Sequence, residues 1–162
     1  DAGWETKLMI FTISLETWKD QNVVGYSTPG PRIGFGFTAM NGNLYIFGGL
    51  SEEGVYLDDI HTFQLNSRFW SSGIITDTDA PSARSDVTLS VVNDRSVIVA
   101  IGGFDGTTPL NDVKEYFPFK NSWSRRTVGG SAMPPRRGHV AAVIGTNVYV
   151  YGGKVVDPDV IM

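Results

Sequence analysis

The side chains with most chemistry to offer in this 162-residue chain are arginines that recur at a near-constant interval. Arg32, Arg84 and Arg137 stand 52 and 53 residues apart. A guanidinium is a rigid fork of N–H donors matched to a carboxylate. Three of them at equivalent places suit an acidic peptide or a carboxylate ligand. The same arginines could instead pair with loop carboxylates such as Asp58, Asp59 or Asp112, or bond to backbone, because a half-buried charge needs a partner. Both roles are compatible. A second basic group, Arg125-Arg126 with Arg136-Arg137, is a local candidate for docking an acidic partner, with solvated loop charge as the alternative.

Other chemistry is thinly represented. His61 and His139 are the only histidines, lie on different repeats, and form no His-x-x-x-His or His-Glu pair. A catalytic metal usually takes three or more protein ligands. His139 is expected at a sheet core, hydrogen-bonded, and His61 at an outward strand position. Gly34-Phe35-Gly36-Phe37-Thr38-Ala39 imitates a dinucleotide fingerprint but precedes a hairpin rather than a helix, which rejects it. Asp77-x-Asp79 and Asp157-x-Asp159 lack the further spaced oxygens of a calcium loop. No motif links a Ser–His–Asp set. No catalytic residue, metal site or cofactor is therefore expected. The absence of cysteine removes disulfides, thiol nucleophiles and iron–sulfur clusters. Thirteen basic against 17 acidic residues leave a net charge of −4, which argues against nucleic-acid and membrane-surface partners. No apolar run approaches the ~18–20 residues of a spanning helix. With no Cys and no Asn-x-Ser/Thr sequon, a cytoplasmic location is expected.

The elements that would position these arginines follow from an internal repeat. Glycine pairs fall at Gly48-Gly49, Gly102-Gly103 and Gly152-Gly153, and tryptophans at Trp18, Trp70 and Trp123. Near-doublets occur at Asp58-Asp59-Ile60 and Asn111-Asp112-Val113. All share a period of about fifty residues, the length of a four-stranded repeat. Each repeat reads as a small, apolar strand (33–40, 85–92, 138–144), a turn rich in Asn, Asp and Gly, and a strand running into the glycine pair. A third, more alternating strand (8–13, 60–65, 113–117) and a fourth starting at the Trp follow. The glycine pair is read as a place where a strand ends and bends with another backbone close by. The Trp supplies roughly 150–250 Å² of surface where one sheet packs on the next. Sheets that cannot bury both faces alone must stack, and radial stacking makes a β-propeller.

These landmarks resemble the kelch family along essentially the whole chain. Pro31-Arg32-Ile33-Gly34-Phe35, Leu44-Tyr45-Ile46-Phe47-Gly48-Gly49, Leu57-Asp58-Asp59-Ile60 and Phe69-Trp70 form one set. Ala83-Arg84-Ser85, Val99-Ala100-Ile101-Gly102-Gly103, Leu110-Asn111-Asp112-Val113 and Trp123 form a second. Pro135-Arg136-Arg137-Gly138-His139 and Val148-Tyr149-Val150-Tyr151-Gly152-Gly153 form a third. A family histidine two residues after the arginine is replaced by Gly34 and Asp86 and kept only at His139. Thr6-Lys7 stand in place of the acidic doublet in the first segment. The resemblance implies an all-β, kelch-type β-propeller in part. Half a repeat lies in 1–28, whole repeats in 30–75 and 82–127, and half a repeat in 134–162, about three four-stranded blades in all. A closed propeller takes four to eight blades. The expectation is therefore a piece of a longer polypeptide. The other arrangement is two copies, whose half-blades complete each other.

In kelch-like propellers the repeat arginine lies near the mouth of the central channel, so the resemblance implies a loop-rich docking face carrying Arg32, Arg84 and Arg137. The implied function is a non-catalytic protein-interaction module, a scaffold or adaptor that binds a protein or acidic peptide. The alternative is an enzyme on a kelch-like propeller (oxidase, specifier or lyase, epimerase) with its active site in missing blades.

Overall fold

The computed structural model describes residues 5–23, 27–73, 75 and 77–155. Strands β1 (Met9–Thr12) and β2 (Thr17–Asp20) form an isolated antiparallel hairpin. Strands β3 (Arg32–Ile33), β4 (Gly36–Met40), β5 (Asn43–Ser51), β6 (Tyr56–Gln64) and β7 (Phe69–Gly73) follow. Here β4, β5, β6 and β7 pair in sequence order, and β3 pairs the far end of β5. The same antiparallel order recurs in β8 (Thr88–Val92), β9 (Val97–Phe104), β10 (Pro109–Phe117) and β11 (Ser122–Arg125). Strand β12 (Arg136–Arg137) joins this sheet at Leu110. Strands β13 (Val140–Ile144) and β14 (Asn147–Tyr151) form a second isolated hairpin, and β15 (Lys154–Val155) returns onto β12. The fold is a partial kelch-type propeller with two complete blades and two half-blades.

Turn chemistry explains the uneven repeat lengths. The β4–β5 hairpin turns on Asn41 and Gly42, both at positive φ, the conformation a two-residue turn requires. The β8–β9 connection uses a short 3₁₀ turn, Asn93–Arg95, closed by Ser96 in the left-handed region. The longer turn stretches the step between the first two glycine pairs.

The first two glycine pairs do not end their strands, contrary to the sequence expectation, whereas β14 stops at Tyr151, directly before Gly152-Gly153. Strands β5 and β9 run through them with a register shift, between Phe47 and Gly49 in the first case. Gly48 and Gly49 take φ of +66° and +107°. A Cβ on Gly48 would lie 2.6 Å from the Arg84 carbonyl oxygen of the next blade. That carbonyl accepts a hydrogen bond from Gly49 N at 2.8 Å, while Arg84 N donates to Leu57 O at 2.9 Å. The pair thus bends the strand and admits the neighbouring chain, joining adjacent blades at one end. The third strands also start earlier than expected, at Tyr56 and Pro109, so the acidic doublets lie inside them.

The main core lies between the two complete blades. Met40, Tyr45, Phe47 and Ile60 pack against Leu89, Ile98, Ala100, Tyr116 and Trp123. The Trp123 ring stands 5.0 Å from Phe47 and 5.1 Å from Tyr116. Burying side chains of this size contributes about 1.5–3 kcal/mol each. Trp70 is also buried, with Ile46 and Phe63. Trp18 departs from the expected role: it is 66% exposed and meets Phe11 at 5.1 Å. Its hairpin lacks the inner strands that would complete a sheet.

Candidate functional site

The glycine pairs gather the predicted arginines at one end of the sheets. Arg32 opens β3 and points at β6. Its Nη1 and Nη2 donate to Asp59 Oδ1 and Oδ2 at 2.6 and 2.9 Å, and Nη1 also donates to Gly48 O at 3.0 Å. Arg84 repeats the geometry, donating to Asp112 at 2.6 and 3.0 Å and to Gly102 O at 3.0 Å. Both guanidiniums are buried. Their forks are filled by a carboxylate and a bend carbonyl, so of the two roles foreseen these arginines take the pairing one. Asp58 is not the partner.

The third member of the series is Arg136, a correction to the predicted Arg137. Arg136 Nη1 donates to Gly152 O at 2.9 Å and its Nε to Pro134 O at 3.3 Å, as Arg32 Nε does to Gly30 O at 3.2 Å. Gly34, Asp86 and Gly138, two residues beyond each, share a positive φ. On this register His139 aligns with Phe35 and Val87, three residues after the arginine rather than two. The bond to the first glycine of the pair spans 16 residues in Arg32–Gly48 and Arg136–Gly152 and 18 in Arg84–Gly102, so this hydrogen bond, rather than spacing, distinguishes Arg136 from Arg137.

Arg137 therefore occupies the place of Ile33 and Ser85 and does something different. Its guanidinium lies over the Phe104 ring at 4.1 Å. Phe104 in turn meets the Tyr56 ring edge-on at 5.9 Å. Tyr56, on β6, and Phe104 and Arg137, on the sheet that holds β9 and β12, form a half-buried row across two neighbouring sheets. Spacing did not reveal the two aromatics, because they are not equivalent repeat positions: Tyr56 opens a third strand after a loop, and Phe104 closes a second strand. The available signal was position, since Phe104 directly follows a glycine pair. Asp105 shapes the adjoining loop: its Oδ1 accepts from Thr108 N at 2.7 Å and Thr107 N at 2.8 Å. These backbone donors hold the Asp105 carboxyl below its ordinary value.

The other basic candidates separate. Arg126 Nε donates to Glu115 Oε2 at 2.8 Å, and the same buried carboxylate takes Arg95 Nη1 at 2.5 Å. Arg125 is exposed at the end of β11. Arg125 and Arg126 line a groove with Asn111, Asp112 and Val113, whereas Arg136 and Arg137 stand on β12.

Neither histidine is solvent-facing. His61 is buried, with Nε2 2.7 Å from Asp59 Oδ2 and Nδ1 3.0 Å from Ser27 O, which corrects the outward placement. It ties the preceding link to the Arg32–Asp59 pair. His139 is buried with Nε2 3.0 Å from Thr88 Oγ1 of the neighbouring blade. Burial, reinforced by Arg136, pushes its pKa down against an opposing backbone contact at Ile101. Asp77 uses Oδ2 to accept from Trp123 N at 2.7 Å, a structural clamp. Asp157 and Asp159 lie outside the described residues. Among the described residues no group of three His, Asp or Glu side chains is placed to hold a metal, and no helix is long and apolar enough to cross a membrane.

A family model described as the KLHDC2/KLHL20/DRC7 Kelch-repeats domain matches residues 2–157. Acyl-CoA-binding domain-containing protein 5 of Arabidopsis thaliana is 31% identical over 153 residues, 94% of this chain and 23% of that protein. Kelch domain-containing protein 1 of Homo sapiens is 28% identical over 153 residues, 94% of this chain and 37% of that protein. Rab9 effector protein with kelch motifs of Mus musculus is 31% identical over 113 residues, 68% of this chain and 29% of that protein. The chain thus spans well under half the length of these curated relatives.

Proposed function

This chain belongs to the kelch-repeat family, and from that premise we propose that its glycine-pair end is a non-catalytic docking face for an acidic segment of a partner protein. The observation that carries this reading is Arg137. Arg32 and Arg84 are occupied by Asp59 and Asp112, and Arg126 by Glu115. Arg137 is stacked by its flat face on Phe104 and has no hydrogen-bond acceptor among the described residues. A stacked guanidinium keeps its N–H edge pointed outward, and the stack removes rotamer freedom before binding. Arginine beside aromatic rings is the composition typical of interface hot spots. Tyr56 and Phe104 supply those rings, and exposed Arg125 adds positive charge on the same sheet as Arg137. One relative is named as an effector of Rab9, and partner docking of that general kind is the role carried over, within a larger protein or assembly.

The test is binding of a fluorescent glutamate-rich peptide at low and physiological salt, measured by anisotropy. Arg137→Glu is expected to weaken capture by about tenfold or more while leaving thermal unfolding unchanged. Equal capture by the variant, or equal capture of a lysine-rich peptide, overturns the reading.

A further inference from the structure

The two complete blades leave a groove of about 460 Å³ between them, at the end of the sheets away from their glycine pairs. One wall is a face of the first complete blade. Asn43 and Tyr45 on β5, Thr62 and Gln64 on β6 and Ser71 on β7 lie there in cross-strand rows. The other wall is Tyr116 of β10 with the β10–β11 turn, which brings Pro118, Phe119 and Asn121. A Cβ on Gly73 would collide with the Asn121 side-chain oxygen, so this glycine lets the turn close against β7. Tyr116 Oη donates to Asn121 Oδ1 at 2.8 Å and holds the turn from within.

The repeat does not require this lining. Strand pairing identifies the equivalent places in the second complete blade. Val97 and Val99 stand there for Asn43 and Tyr45, and Glu115 and Phe117 for Thr62 and Gln64. Val97, Val99 and Phe117 join an apolar cluster with Val143 and Val148. Glu115 is taken up by Arg95 and Arg126. The surface closed by packing in one gap is open in the other and lined by amides and hydroxyls.

The chemistry of an occupant follows from that lining. Among the described residues no Asp, Glu, Lys, Arg or His lines the groove. A charged ligand would lose water there without gaining a counter-charge. Burial pushes the Tyr45 hydroxyl up and that of Tyr116 to about 12, so both stay neutral at physiological pH. Amides and hydroxyls set donors and acceptors side by side, and a ligand hydroxyl, itself both donor and acceptor, satisfies them. Strands β5 and β6 have both backbone edges paired, so the floor offers side chains rather than a strand edge for a peptide main chain. At the rim the Phe119 ring is 85% exposed and presents a flat apolar face that suits the C–H face of a sugar ring. The volume is in the range of a small-molecule site.

We infer that this groove binds a neutral oligosaccharide, with Asn43, Gln64 and Ser71 hydrogen-bonding its hydroxyls and Phe119 stacking on a sugar ring. The site lies at the opposite end of the sheets from Arg137 and does not rest on the acidic-peptide reading.

The test exposes the 162-residue chain to an array of immobilised oligosaccharides, with neutral hexose and N-acetylhexosamine chains beside sialylated and sulfated ones. Calorimetry with the neutral chain retained best then gives affinities. Neutral chains are expected to be retained equally at low and high salt. Gln64→Ala and Phe119→Ala should each weaken binding by about fivefold or more, as for one lost contact. Gln64→Phe, which puts the second blade's residue into the groove, should abolish it. Gln64 and Phe119 are exposed, so thermal unfolding should not change in these variants. Arg137→Glu should leave sugar binding intact, which separates this site from the docking face. Retention of no chain, retention of acidic chains alone, equal binding by Gln64→Phe and Phe119→Ala, loss in Arg137→Glu, or tighter capture of a neutral Ser- and Asn-rich peptide overturns the inference.

Discussion

At the scale of single residues, Asp59 is the busiest group in the first blade. It accepts both Arg32 nitrogens and the His61 ring, and so fastens the link before β3 to the third strand. Burial pushes its carboxyl up, but hydrogen bonds from His61 and Arg32, with the Arg32 charge, outweigh that and hold it well below the usual aspartate range. A carboxyl depressed in the folded state contributes stability that is fully present above about pH 4 and is lost as the pH falls toward the folded value. Asp59→Asn should therefore flatten the dependence of stability on pH between about pH 5 and pH 2 relative to wild type. Urea titrations across that range check this, and an unchanged slope in the variant contradicts it. The doublet Asp58-Asp59 was legible as a carboxylate source. Its useful member was not, because the choice depends on which side of β6 faces Arg32.

At the scale of elements, the repeated tryptophans are equal in sequence and unequal in the fold. Trp123 is buried between two complete blades, against Phe47 and Tyr116, whereas Trp18 sits on a hairpin with no inner strands. Trp123→Ala is expected to cost about 3–5 kcal/mol, the range for emptying a large aromatic site in a packed core. Trp18→Ala should stay within about 0.5 kcal/mol, as for an exposed substitution. Equilibrium denaturation of the two variants measures the contrast, and similar losses would show that the first half-blade packs more tightly than described. The arginine series shows the same limit. A 53-residue step selected Arg137, but an arginine beside an arginine cannot be placed by spacing alone. The hydrogen bond to Gly152 O selects Arg136.

At the scale of the whole molecule, stability is distributed as in a short stack of repeats, each supported by its neighbours. Strands β5, β6, β9 and β10 have partners on both edges, and β9 is almost wholly buried. The β1–β2 and β13–β14 hairpins have both outer edges unpaired among the described residues, and their strands alternate half-buried with exposed residues or are exposed throughout. Amide hydrogen exchange should be slowest at Val97–Ile101 and around Phe47, and fastest in the two hairpins, with several orders of magnitude between them as local opening replaces global unfolding. Uniform protection along the chain would mean a single cooperative unit and would falsify this picture.

The amino-acid sequence by itself determined the strand order, the repeat and the family. Those depend on local properties: Gly where φ must be positive, Asn-Gly at a turn, apolar runs in the inner strands. Only the tertiary structure decided what the polar residues do. Arg32 and Arg84 are used up by carboxylates 27 and 28 residues away, His61 is buried against one of those pairs, and Arg137 is left stacked with its donors open. A side chain's partners are set by which strands come together and on which face. That is a long-range property that periodicity along the chain does not encode.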